Sequence, residues 1–292
     1  MTTVTEMAKE KLMNSARRLL LIASGLLAAS PAWAQPLKSG VERLYVLECG
    51  HGPAPDQGRF SPGYNDGKPL DFVDNCYLIR HAQGYLLWGT GVADKYFGVP
   101  DGLPSVGGRP NWVRSNTLAG QLAQLGLGPS DIRYVGLTNS HIDHIGNLEM
   151  FPGATILVQR AEWDFAQAHP TEDTPNGVRI NTAHPMAKID GDHDVFGDGT
   201  VRLIATPSVA PGNQSLLVKL PKTGSVLLSG DVIHFQYGWN HRIVPGNVWD
   251  RDKTSASFKR LADIMAETNA QLWIEHDKAQ SDTRRFAPEY HE

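Results

Sequence analysis

An α+β chain, built as two β-sheets packed face to face with helices outside, is the architecture predicted by three features of these 292 residues. Short apolar runs outnumber helical patterns, they gather into two clusters before and after residue 140, and no repeat or low-complexity tract interrupts them. In chain order the strand-like runs cover residues 43–47, 76–80, 85–88, 132–137, 155–159, 201–205, 215–220, 226–228 and 271–274. Helical patterns fit residues 116–124, 161–168 and 254–268. In the last of these Phe258, Leu261 and Met265 share one face at helical spacing, which core packing explains without function. Long irregular stretches at residues 51–71, 92–111, 170–194 and 234–252 exceed what connections need, a property of functional loops.

Residues 1–34 read as a cleaved signal peptide: Arg17 and Arg18 precede the apolar stretch 19–29, and Ala32-Trp33-Ala34 supplies the small-x-small cleavage pattern. The stretch is too short and too alanine-rich for a good membrane span, so a periplasmic or secreted location is expected, with residues 35–292 as one domain. Met13 is a second candidate start, and the arginine pair is a weak hint of twin-arginine export. Removing the leader leaves 23 basic against 29 acidic side chains. A mildly acidic chain argues against nucleic acid or an anionic membrane as partner and leaves a small molecule as the expected ligand, with a homodimer possible in principle. Cys49 and Cys76 are the only cysteines, and they fit either one disulfide or two buried thiols.

The chemistry concentrates at Asn139-Ser-His-Ile-Asp-His144, directly after an apolar run. His141, Asp143 and His144 are metal ligands by type and spacing, because imidazole nitrogen and carboxylate oxygen suit zinc and its neighbours. A polar loop with satisfied histidines is the bland alternative. Two further candidates follow other apolar runs: Asp231 after Leu227-Leu-Ser-Gly, and His276 after Leu272-Trp-Ile-Glu. Three strand ends thus present His141, Asp143, His144, Asp231 and His276. The loop 234–252 holds Tyr237, Trp239, His241 and Trp249, which can wall a substrate pocket or pack on the body of the protein or a second subunit. His51, His81, His169, His184 and His193 have no second ligand nearby in sequence and read as solvated or satisfied. Ser140 and Ser229 lack the nucleophile elbow of serine hydrolases.

Across residues 42–290 the chain resembles the metallo-β-lactamase superfamily, and within it the N-acyl-homoserine lactonase branch. The resemblance rests on Leu44-Tyr-Val-Leu-Glu-Cys-Gly50, Asn75-Cys-Tyr-Leu-Ile-Arg-His81, the loop Asn139 to His144, Phe151-Pro-Gly-Ala-Thr155, Thr206-Pro207, Pro211-Gly-Asn-Gln-Ser-Leu-Leu217, Leu227 to Asp231 and Trp273-Ile-Glu-His276. It implies an αββα sandwich of two mixed sheets with a metal site at one edge. The chain departs from the family's His-x-His-x-Asp-His loop at Asn139, from a ligand histidine at Asn213, and from the Asp-Thr-Gly turn at Gly89. One metal position is thereby weakened, since an amide oxygen is a poor zinc ligand, while Asp143, His144, Asp231 and His276 keep the other.

The expectation is one tightly held zinc in a hydrolase of a small activated substrate such as a lactone or ester. In it Asp143 or Asp231 orients water, His141 acts as a base or weak ligand, and Asn139 and Asn213 donate to substrate. Two alternatives remain: hydrolytic dehalogenation of an electron-poor chlorinated aromatic stacked on Tyr237, Trp239 and Trp249, and a ligand-binding relative without catalysis.

Overall fold

The computed structural model describes residues 40–105, 107–169, 180 and 183–292. The expected leader, residues 1–34, lies outside the described residues, as does part of the stretch 170–194. Strands β1 (Val41–Ala54) and β2 (Leu70–His81) form a long antiparallel hairpin, with bulges after Val41 and Glu48. β3 (Gly84–Trp88) continues it antiparallel, and β4 (Ile132–Gly136), β5 (Thr155–Gln159) and β6 (Met186–Ile189) add on in parallel. The second sheet runs β11-β10-β9-β8-β7, from β7 (His193–Asp194), β8 (Val201–Ala205), β9 (Gln214–Leu220), β10 (Gly224–Leu228) and β11 (Gln271–Trp273). Only the β10–β11 pair of that sheet is parallel, so both sheets are mixed.

Side-chain alternation with period two sorts each strand between layers. Leu44 and Val46 of β1 point inward and meet Leu216, Val218 and Leu228 of the second sheet across the central core. Their neighbours Tyr45, Leu47 and Cys49 point outward against helix α1 (Leu118–Gln124) and the β4 and β5 side chains Val135, Ile156 and Val158. On the far side Ile204, Leu217 and Leu227 pack against Phe258 and Leu261 of helix α5 (Arg251–Thr268). The order of layers is helix, sheet, sheet, helix, as expected. Among the described residues no helix is long and apolar enough to cross a membrane.

Between α1 and α5 lie α2 (Ile142–Ile145), α3 (Arg160–Ala168) and α4 (Gln236–His241), and α6 (Lys278–Ser281) follows β11. Helices α1 and α5 start where sequence chemistry directs: the Thr117 hydroxyl accepts from Gly120 N–H, and the Asp250 carboxylate from Lys253 N–H. The sheets divide after Ile189, not at residue 140, because β5 and β6 extend the first sheet in parallel instead of opening the second. The hairpin is longer than its apolar runs, since main-chain pairing carries it through Gly50, Gly52 and Pro53. A disulfide joins Cys49 to Cys76, tying β1 to β2.

Candidate metal centre

Three strand ends deliver the site. β4 runs into Thr138 and Asn139, and His141 then caps α2, a single turn that carries Asp143 and His144. That turn sits hard against the Gly89–Ala93 loop: Thr90 N–H donates to the His144 carbonyl, and Gly146 N–H to the Gly91 carbonyl. β10 is followed by Ser229 and Gly230, whose φ of +53° and close approach to Thr138 and Gln214 leave no room for a side chain. This turn presses Asp231 onto the β4 loop. β11 is followed by Ile274-Glu275-His276 beside β2, where the His276 ring meets the Val73 carbonyl.

Asp231 is the hub. Its Oδ1 lies 3.0 Å from His276 Nε2, and its Oδ2 lies 3.2 Å from His144 Nε2 and 3.1 Å from Asn139 Nδ2. His141 Nδ1 is 3.5 Å from the same Oδ2. Asp143 Oδ2 is 4.0 Å from both His144 Nε2 and His276 Nε2. One ligand atom each of Asp143, His144 and His276 fall within 4.8 Å of one another, as do those of His144, Asp231 and Glu275.

Burial alone would strip the proton from His276, but Asp231 outweighs it and the imidazole is pushed up to about 9; His144 is raised in the same way. Asp231, whose burial favours the neutral acid, is held well below the carboxylate range by His144 and His276. Two more buried carboxyls surround the pair: burial raises Asp74 to about 8 and Glu275 to about 7, the latter accepting from Trp88 Nε1. The charge on Asp231 is balanced here by protons on the two imidazoles, while Asp74 and Glu275 keep their own, and a divalent cation would replace the imidazole protons. The donors fit such a cation. Neutral imidazoles and carboxylates are zinc ligands, and His276 Nδ1 is held 2.7 Å from the Val73 carbonyl, which leaves Nε2 for the metal.

A cavity of about 100 Å³ opens over this cluster. His141, Asp143, Asp231 and His276 line it with Arg59, Arg109, Phe60, Phe72, Trp112 and His234. The His234 ring stacks on His276 with centroids 5.6 Å apart, its Nδ1 has no partner, and burial pulls it down to about 3, so it is a neutral imidazole.

The structure brings all five expected ligands together, with His141 at the edge. It corrects the roles expected for two amides. Asn139 and Asn213 are fully buried and committed: Asn139 Oδ1 accepts from His141 N–H, its Nδ2 faces Asp231 and Asn213 Oδ1, and Asn213 Nδ2 donates to the Thr206 carbonyl. Neither has a donor left for substrate. The expected pocket residues Tyr237, Trp239, His241 and Trp249 do not line this cavity. Because residues 236–241 fold as α4, Trp239 turns onto Phe258, while Tyr237 stacks between Tyr64 and His241. Trp249 is exposed under Lys253. Loop 234–252 gives the lining His234 and Asn247 instead, and the two earlier loops, whose only signal was length, give Phe60 and Arg59 from residues 51–71 and Arg109 from residues 92–111. Trp112 and Phe72 follow directly. The remaining histidines behave as expected where the contact is plain, His51 with Ser115 and His81 with Asp198.

Fold and site together define a metallo-hydrolase frame. The chain belongs to the metallo-beta-lactamase superfamily, whose description matches residues 70–268. It is similar to the N-acyl homoserine lactonase AttM of Azorhizobium caulinodans, 30% identical over 86% of this chain and 98% of that protein. The N-acyl homoserine lactonase AiiA of Bacillus thuringiensis subsp. kurstaki is 28% identical over 86% of this chain and 99% of its own. A solved N-acyl homoserine lactone hydrolase, with N-hexanoyl-L-homoserine at its catalytic metal centre, superposes with a TM-score of 0.76 at 27% identity, covering 86% of this chain and 100% of that one.

Proposed function

We propose that the protein hydrolyses a lactone or similarly activated ester with one zinc ion held by Asp143, His144, Asp231 and His276. The convergence of these four groups from both sheets under one cavity carries the reading. When bound, such a metal supplies a water whose pKa is brought to about 7 and an electrophilic pole for the carbonyl oxygen. Asp231 keeps negative charge between the two imidazoles and fixes their orientation. Asp143, the most accessible of the buried carboxylates around them, is placed to orient the attacking water and take its proton. His141 lines the cavity at the rim, where it can return a proton to the departing alkoxide.

A single ion is favoured by the amides. Asn139 turns its Nδ2, a donor, towards Asp231, and a donor cannot ligate a cation. Dehalogenation of a stacked aromatic loses its support, since the residues invoked for stacking face elsewhere. Loss of catalysis fits poorly with four assembled ligands. Export accords with the Cys49–Cys76 bridge, a bond that persists in oxidising compartments.

The test is metal content per chain on protein purified without chelator, with proton release from a panel of neutral and carboxylate-bearing lactones, N-hexanoyl-homoserine lactone among them. One equivalent of zinc, lost together with turnover in His144→Ala, is the expected result. Two equivalents would overturn the single-ion reading, and no metal with no turnover would overturn the hydrolase itself.

A further inference from the structure

Arg59 and Arg109 both line the cavity that holds His141, Asp143, Asp231 and His276. We propose that the two guanidiniums form an anion clamp, and that the substrate is a lactone or ester carrying a second group, a carboxylate, away from the bond that is cleaved. This deepens the hydrolase reading and rests on it.

The two side chains share one wall. The Arg59 stem packs against the chain just before Arg109: a Cβ on Gly108 would lie 3.5 Å from Arg59 Cδ and 3.6 Å from its Nη1. The Arg59 backbone is fixed on both sides. It ends a turn of 3-10 helix, Gln57–Arg59, whose start is capped by Asp56, and its carbonyl accepts from Gly246 N–H at 2.9 Å. Yet its Nε is buried with no hydrogen-bond partner. A buried donor aimed at nothing is costly unless a ligand completes it, and a carboxylate matches a guanidinium in shape and charge.

Arg109 lies deeper than a surface arginine. Burial pulls its guanidinium down, with Asp143 opposing and Arg59 adding to the effect. Charge repulsion between two neighbouring cations is relieved when an anion sits between them. Phe60, Phe72 and Trp112 supply the apolar remainder of the wall, so the carboxylate belongs on an otherwise uncharged body. An uncharged lactone would leave the Arg59 donor buried and unsatisfied, and a site built around a polar group rejects analogues that lack it.

The experiment has two arms on the metal-loaded protein. In the first, calorimetric titration compares benzoate with benzamide. The clamp predicts that benzoate binds at least about tenfold more tightly, and that this preference falls about tenfold or more in Arg59→Met and in Arg109→Met, each checked for unchanged thermal unfolding. Equal affinity for the two probes overturns the proposal and needs no variant. So does a preference that survives both substitutions, because benzoate would then be held by the metal alone. In the second arm, kcat/KM is compared for a lactone bearing a carboxylate and for its methyl ester. Turnover of both without discrimination sinks the clamp and leaves the hydrolase standing. Discrimination in binding with no lactone turned over sinks the hydrolase and leaves the clamp standing.

Discussion

Asp231 meets as many neighbours as its two oxygens have lone pairs: two imidazoles, an amide nitrogen and, at 3.5 Å, His141. That crowding separates two kinds of histidine. His144 and His276 are buried and paired to the hub, whereas His141 is one-fifth exposed and faces the cavity. His141→Ala is therefore expected to keep near wild-type metal content while losing turnover by about 100-fold or more, the scale of a missing general acid or base. Metal analysis beside lactone kinetics checks this, and a parallel loss of metal would make His141 a ligand. The meeting of the candidate ligands was legible in the sequence because each follows an apolar run that had to be a strand. The cavity walls were not, since Arg59, Phe72 and Trp112 arrive from loops and strand ends whose meeting point is set only by the closed β1–β2 hairpin. Asn139 and Asn213 show the same limit from the other side. Their residue type invites a role with substrate, but burial decides whether an amide has a donor to spare.

At the scale of elements, the single turn α2 is held by contact with the Gly89–Ala93 loop more than by its own length. Gly146 ends it with an ordinary helical φ of −59°, where alanine would normally stabilise by about 0.4–1 kcal/mol. Here a Cβ would lie 2.4 Å from Ala93 N and 2.5 Å from Gly91 O, both backbone atoms that cannot step aside. Gly146→Ala should instead destabilise by about 1–3 kcal/mol and displace Asp143 and His144. Chemical denaturation with metal analysis reads both effects, and a stabilised variant would show that the loop yields. The strongest periodic segments were correctly placed from sequence, down to α5 and its Phe258 and Leu261 face. What escaped were short pieces whose side chains carry no pattern: β6, β7, α2, α4 and α6. Missing α4 had a consequence at the site, because an irregular stretch at residues 236–241 would leave Tyr237 and Trp239 free to reach the cavity.

For the molecule as a whole, charge buried between the sheets couples stability to pH. In the absence of metal, Asp74, Glu275 and His276 keep protons in the folded state up to about 8, 7 and 9, against 3.8, 4.5 and 6.5 in an unperturbed chain. The folded form thus binds more protons through neutral pH, so this contribution is present in mild acid and is lost as pH rises through those values. Asp231 is shifted downward and acts oppositely, losing its contribution only in acid. Chelator-treated protein should melt about 5–10 °C lower at pH 9 than at pH 6, and metal-loaded protein should show a shallower slope. A flat profile without metal would mean that these groups are better solvated than their burial implies. The disulfide acts on the unfolded chain: it closes a loop between cysteines 27 residues apart, and its reduction should cost about 2–4 kcal/mol in a denaturation measured with and without reductant.

The outer edge of β1 is completed by the other end of the chain, where Leu44 exchanges both backbone hydrogen bonds with His291 and the Val46 carbonyl accepts from Ala287 N–H. During synthesis that edge stands open from the completion of β1 until residues 287–291 have emerged, a template for pairing with other chains throughout. His276 also comes late, so a nascent chain has its sticky edge long before the Asp231 cluster is complete. Loss of residues 286–292 should therefore show itself first as aggregation during expression, before any effect on turnover can be measured.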